Sequence, residues 1–275
     1  MRIGRTVKIC ASFHVAPYFQ EYYVVRRGDY LGKIARHLKL PLKRLRRWNR
    51  YRIRHRNGRW IIRPGMRLVY LRRGSAASSS IGAPFRGRLV NGVQLHSGPG
   101  YHVRQLGNAW GTDETVHNIL NAIACFRAKY PHAPKVVIAD MSRRYGGRLK
   151  RHKSHRSGRD VDVGLFAVRG NSERCIVNHR AADLNIPLSW GLMKCFIDTG
   201  KVLYIFLDYR MQKRFYKYLK QNPKRMPRGF TFENLIEYPN GRHSHRGLIR
   251  YEPGHRSHFH VRFVCPKGDT ACRDY

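Results

Sequence analysis

The chain has 275 residues, 42% of them hydrophobic and 12% aromatic, which supports a packed core and argues against wholesale disorder. Fifty-five Lys and Arg face sixteen Asp and Glu, a net charge of +39 that draws polyanions, whether nucleic acid, acidic lipid or anionic wall polymer. No apolar run reaches the 18 residues of a transmembrane helix, and no CxxC pair points to a zinc ribbon.

The opening "MRIGRTVKICASFHVAPYF" carries Arg2, Arg5 and Lys8 but lacks the apolar segment of a signal peptide. Export by another route, or an N-terminus upstream of Met1, is the expectation. A strand follows at Tyr23, Val24 and Val25. Gly28-Asp29 marks a turn, with Asp29 as a candidate N-cap. Leu31, Ile34, Ala35 and Leu38 then recur at helical spacing. Pro41 restarts the pattern, and Leu42, Leu45 and Trp48 predict a second helix ending near Asn49. "IIRPGMRLVYLRR" reads as a Pro-Gly turn and a strand.

The strand–GDxL opening, the Asn after the second helix and the PGxxL closing strand resemble a LysM module. That resemblance implies a small βααβ domain binding N-acetylglucosamine-containing glycans such as peptidoglycan. The basic insert "RYRIRHRNGRW" departs from the pattern. Residues 22–73 carry eighteen Lys and Arg against one Asp, so phosphate tracking by this unit is the competing reading.

"RRGSAASSSIGAPFRG" over 72–87 is small and polar, the composition of a linker. The expected organisation is a glycan-binding module at 20–73, a linker at 74–84 and a larger α+β domain at 85–275. In the larger unit, "DETVHNILNAIACFRAKYP" places Val116, Ile119, Leu120, Ile123, Ala124 and Phe126 mostly on one helical face. "KVVIAD" reads as a strand, "LSWGLMKCFIDTG" as a helix, "KVLYIFL" as a strand and "YRMQKRFYKYLKQN" as a helix. Cys265 and Cys272 flank the turn "PKGDTA" and are the expected disulfide; Cys10, Cys125, Cys175 and Cys195 could be bridged or buried as thiols.

Two stretches carry the chemistry. In "RHKSHRSGRDVDVGLF", Asp160 and Asp162 alternate onto one face of a strand, with His155 seven residues before Asp162. A helix would hold His155 and Asp162 roughly 10 Å apart, too far for one ion, whereas a turn at Gly158 can join them. In "GHRSHFHVRF", His258, His260 and Arg262 share one strand face, and Phe259, Val261 and Phe263 the other. The two histidines lie about 7 Å apart along the strand, close enough for one to ligate and one to move protons.

His155, Asp162 and His260 form an N/O ligand set that leaves a position for water, the pattern of a catalytic zinc site. Such an ion activates water and polarises an amide carbonyl. Without the ion the chemistry is weaker: no GxSxG occurs, and no Cys has a nucleophile context. The bland alternative is a coincidental histidine cluster in a chain with fifteen of them. Asp160 could orient a histidine. Arg262 could hold a substrate carboxylate or form a salt bridge.

"DMSRRYGG" at 140–147, "HKSHRSGRDVD" and "GHRSHFHVRFVCP" resemble penicillin-insensitive murein endopeptidases, zinc peptidases with an H-x6-D…H-x-H pattern. The resemblance implies a metallopeptidase fold with a central antiparallel sheet, and Zn2+ on His155, Asp162 and His260. It implies catalytic duty for His255 and His258, and places His152 at the site as a further candidate ligand. The insert "PNGRHSHRG" departs from the family, and His243 and His245 are expected to be solvated. The implied activity is cleavage of peptide cross-links in peptidoglycan, outside the cytoplasm, in the periplasm or secreted. Anionic wall polymers are expected partners; nucleic acid is not favoured. The rivals are a carboxypeptidase or amidase on the same metal core, and a non-catalytic basic wall- or nucleic-acid-binding protein.

Overall fold

The computed structural model describes residues 18–49, 53–56, 59–73, 78–168 and 183–274. Cys10, Cys175, the N-terminal stretch to residue 17 and parts of the basic insert lie outside the described residues. The mixed α+β class expected from the sequence holds.

The first unit runs β1 (Tyr18–Val24), α1 (Leu31–His37), α2 (Leu42–Asn49) and β4 (Arg67–Arg73), with a hairpin of β2 (Arg54–Arg56) and β3 (Arg59–Ile61) inside the basic insert. β1 and β4 pair antiparallel, closing the expected βααβ order. Leu31, Ile34 and Ala35 are buried with Val25, Leu45, Ile53 and Leu68, as the helical period requires. Asp29 does not cap α1. Its carboxylate accepts from the Arg26 N–H (2.8 Å) and the Tyr23 hydroxyl (2.9 Å), so it closes the Gly28 turn instead.

The second unit continues with β5 (Ser79–Ala83), β6 (Arg86–Val90), β7 (Val93–Gln94), β8 (Tyr101–Val103), β9 (Trp110–Gly111), α3 (Asp113–Lys129), β10 (Val136–Ile138) and β11 (Asp160–Gly164). After these come α4 (Ile186–Ile197), β12 (Val202–Leu207), α5 (Tyr209–Gln221), α6 (Phe232–Leu235), β13 (Ile249–Tyr251) and β14 (His258–Phe263). A six-stranded sheet has the order β13-β12-β14-β11-β10-β8. It is antiparallel through its middle and parallel at both edges, where β12 meets β13 and β10 meets β8.

Alternation splits this sheet into two chemically opposite faces. Val161, Val163, Ile205, Leu207, Ile249, Phe259, Val261 and Phe263 point into a core closed by Phe126, Trp190, Phe196 and Phe215 from α3, α4 and α5. A disulfide, Cys125–Cys195, ties α3 to α4. Helix starts are set by side chains: Thr112 accepts from Thr115 N, Asn185 from Leu188 N and Asp208 from Arg210 N.

The stretch expected to be linker is partly structural. Residues 79–83 form β5, and its companion Ser78 accepts the N–H of Asp113 (2.7 Å) while Ser80 N donates to Asp269 (2.6 Å). Small polar composition reads as flexible, but both serines are buried here. Arg159, fully buried beside the site strand, donates to Ser80 Oγ (3.2 Å), Phe263 O (2.8 Å) and Arg273 O (2.7 Å) and pairs with Asp274. The Cys265–Cys272 disulfide closes the C-terminal turn, as expected. No described helix is long and apolar enough to cross a membrane.

Phe196 is wholly buried, with its ring 5.7 Å from Phe259 and 6.4 Å from Phe263. Phe196→Ala is expected to lower stability by about 3–5 kcal/mol, read as a lower denaturant midpoint at an unchanged slope.

Candidate metal centre

The register of β11 against β14 builds the site. Asp162 lies opposite His260, and Asp160 opposite Arg262. Directly opposed residues share a sheet face, so two carboxylates and three basic side chains meet on the face away from the core. The loop before β11 supplies His155 in a left-handed conformation (φ 65°). That backbone is held from three sides. Its N–H donates to Asp160 Oδ2 (2.9 Å), its carbonyl accepts from Ser142 Oγ (2.5 Å), and its ring Nδ1 donates to the Met141 carbonyl (2.7 Å). Gly158 (φ 74°) makes the turn into β11, with Leu89 side-chain atoms within 3.0 Å of where a Cβ would stand.

With Nδ1 committed to Met141, the His155 Nε2 is a bare lone pair. It lies 3.1 Å from His260 Nδ1 and 3.3 Å from Asp162 Oδ1, and His260 Nδ1 is 3.2 Å from that same oxygen. All three residues are buried, and Asp162 Oδ1 accepts no hydrogen bond. Acceptors this close repel unless a cation or a proton sits among them; without an ion, a protonated His260 donates from Nδ1 into this trio. Donors at zinc bond lengths around a tetrahedral ion stand about 3.3 Å apart, so the three atoms fit such an ion.

The electrostatics agree. Burial favours neutral acids, but the His155 and His258 imidazoles hold Asp162 well below the usual carboxylate range. Asp160 behaves likewise, with Arg262 (Nε to Oδ1, 2.9 Å) the chief counter-charge. Burial works against a charged His260, yet Asp160 (3.2 Å from Nε2) and Asp162 raise it to about 9. Asp160 thus supports both histidines at once, one through its backbone and one through its ring.

The other histidines surround this trio. His258 Nε2 lies 3.7 Å from Asp162 Oδ1, and burial lowers its pKa. His255 is pushed down to about 3, by burial first and then by His260 and His258, so it is neutral at pH 7. Its Nδ1 donates to the Pro253 carbonyl (3.0 Å), leaving Nε2 as an acceptor. The His255 ring is 4.8 Å from His258 and 5.7 Å from His260. His152 stands on the other side, Nδ1 3.9 Å from Asp162 Oδ2 and Nε2 3.2 Å from Asp140. Ligating atoms of His152, His155 and Asp162, and of Asp162, His255 and His260, form two sets that each fall within 4.8 Å.

Every site residue expected from the sequence is therefore in one cluster. Arg262 is spent on Asp160 rather than free for substrate. His243 and His245 are exposed, as expected. Asp140 was not singled out by the sequence reading, though it opens the quoted "DMSRRYGG" stretch; it also binds Arg104 (2.6 Å) and Asn108 (3.0 Å). The buried Glu237, which accepts from Ser244 Oγ, His245 N and Tyr251 N and so pins the 241–251 segment, had no sequence signal.

Residues 80–187 match the family model of penicillin-insensitive murein endopeptidase, and residues 23–69 that of the LysM domain. Both resemblances read from the sequence are thereby met. The first match includes His152, His155 and Asp162 and ends before β14, which geometry rather than the match brings to the site. No curated protein matches the chain.

Because His260 holds a proton at pH 7 when no ion is bound, uptake of a dication must release it. Apparent metal affinity is expected to rise about tenfold per pH unit from 7 towards 9. Titration calorimetry in buffers of different ionisation enthalpy reads the proton count. Asp160→Asn is expected to weaken metal binding by about 10–100-fold in a chelator competition.

Proposed function

We propose that the second unit is a zinc-dependent peptidoglycan endopeptidase, hydrolysing the D-alanyl–diaminopimelyl amide of peptide cross-links. The observation that carries this reading is the trio of ligating atoms 3.1–3.3 Å apart around the buried Asp162 Oδ1, in a unit that matches a murein endopeptidase family. His155 Nε2, Asp162 Oδ1 and His260 Nδ1 would hold the ion, with His152 beside them. The donor set of two imidazoles and a carboxylate suits zinc. When bound, the ion supplies Lewis acidity that polarises the scissile carbonyl and acidifies a water molecule.

The chain's own groups do the rest. His255, neutral and with a free Nε2, accepts the proton of the attacking water and returns it to the leaving amine. His258 donates from Nε2 to the oxygen on which charge develops. Asp160 and Met141 keep the two ligating rings in the required tautomer and orientation.

The first unit would hold the glycan strand, as a LysM module does, across the boundary near residues 74–77. The positive field would concentrate the protein on an anionic wall. Two disulfides suit an oxidising compartment, supporting a periplasmic or secreted location.

Digestion of purified sacculi, with muropeptide analysis, tests the reading. Cross-linked muropeptides should fall, and chelator should abolish the effect. Asp162→Ala and His260→Ala should lose both metal and activity. His255→Ala should keep the metal while activity drops about 10²–10⁴-fold. Intact cross-links after incubation with the metal-loaded protein would sink the proposal.

A further inference from the structure

The sheet face that bears the histidines extends beyond them. One rung crosses four strands in register: Asp162 on β11 pairs with His260 on β14, His260 with Phe206 on β12, and Phe206 with Arg250 on β13. Residues on one rung share a face, so Arg250 stands on the site side, two strand spacings or about 10 Å from His260. Between them lies an aromatic floor. Phe206 meets the His260 ring edge-on at 5.3 Å, and Tyr204 lies 6.0 Å from Phe206. Both are half-buried, while the intervening Ile205 is buried in the core.

Arg250 is arranged for an anion. Its guanidinium lies over the Tyr204 ring at 3.6 Å, and its Nε donates to the Gly247 carbonyl (3.0 Å). Those two contacts fix the plane of the group and leave Nη1 and Nη2 with no partner among the described residues. No described carboxylate pairs with it. Arg262, two strands nearer the metal centre, shows the contrast: its charge is taken by Asp160 at 2.9 Å. A stacked, oriented guanidinium with two unused N–H edges is suited to bidentate capture of a carboxylate.

We infer that Tyr204, Phe206 and Arg250 form a substrate subsite in which Arg250 binds a free carboxylate of the peptide, with the chain between lying on the two rings. Its assignment as a subsite of a reaction rests on the endopeptidase reading; its affinity for a carboxylate does not. An extended peptide covers the distance to the metal centre in about three residues. The chemical class is thus a short acidic peptide whose carboxylate lies within three residues of the scissile amide.

Two synthetic peptides test this, identical except that one bears the carboxylate and the other its primary amide. With metal-loaded wild type, kcat/KM should favour the acid over the amide. Arg250→Ala should lower that ratio about tenfold or more, and Arg250→Lys should restore part of it, because charge returns without the fork. If Arg250→Ala does not fold, Arg250→Gln, which keeps a stem on Tyr204, takes its place. An acid-to-amide ratio equal in wild type and variants overturns the subsite. Should wild type cleave neither peptide, equilibrium binding of the same pair decides. An Arg250-dependent preference for the acid then upholds the subsite while the endopeptidase reading falls, and equal binding overturns the subsite.

Discussion

The antiparallel register between β11 and β14 is the constraint on which the site depends. Each strand alternates apolar and polar side chains, so a slip of one residue would turn Asp160, Asp162, His258 and His260 into the core and Val161, Val163, Phe259 and Val261 out of it. The hydrophobic effect thus enforces the pairing of Asp162 with His260. Buried apolar side chains from three helices hold the back of the sheet, and the ligating atoms on the front inherit that rigidity.

Such a cluster is costly to assemble. Two carboxylates, fully buried, would be expected to neutralise; instead each is held charged by imidazole and guanidinium partners. The arrangement concentrates negative charge at one point, beside a neutral His255 and a protonated His260, in a chain whose overall charge is +39. A cation at that point relieves the opposed lone pairs of His155 and the Asp162 oxygen. The same logic explains why His260 takes up a proton readily: the proton occupies the electrostatic position that a metal ion would.

Supporting elements reach the site from far along the chain. Arg159 links β11 to β5 and to the C-terminal tail, so the segment after the first unit and the last residues of the chain brace one strand. Glu237 fixes the 241–251 segment that leads through Tyr251 and Pro253 towards His255. Among the described residues the first unit buries seven apolar side chains around two short helices and the β1–β4 pair.

Local signals in the sequence determined much of this. Period 3.6 identified α1, α3 and α5, alternation identified β11 and β14, and histidine and aspartate spacing named His155, Asp162, His258 and His260, because ligand chemistry depends on residue type; the family resemblance added His152 and His255. Side-chain capture of a backbone group is less legible, and Asp29 shows it: the carboxylate turned to Arg26 and Tyr23 rather than to the helix. Segment 79–83 reads as linker by composition, and only its pairing with β6, with Ser78 and Ser80 buried at Asp113 and Asp269, made it a strand. The tertiary fold alone decided that Arg262 is neutralised and Arg250 is not. It also decided that Asp140 and Glu237 are structural anchors and that Cys125 meets Cys195. These pairings run from about ten residues for Glu237 to about a hundred for Arg262 with Asp160, and they are set by sheet register, loop path and helix packing. Residue type and local spacing carry no information about which distant partner will be opposite.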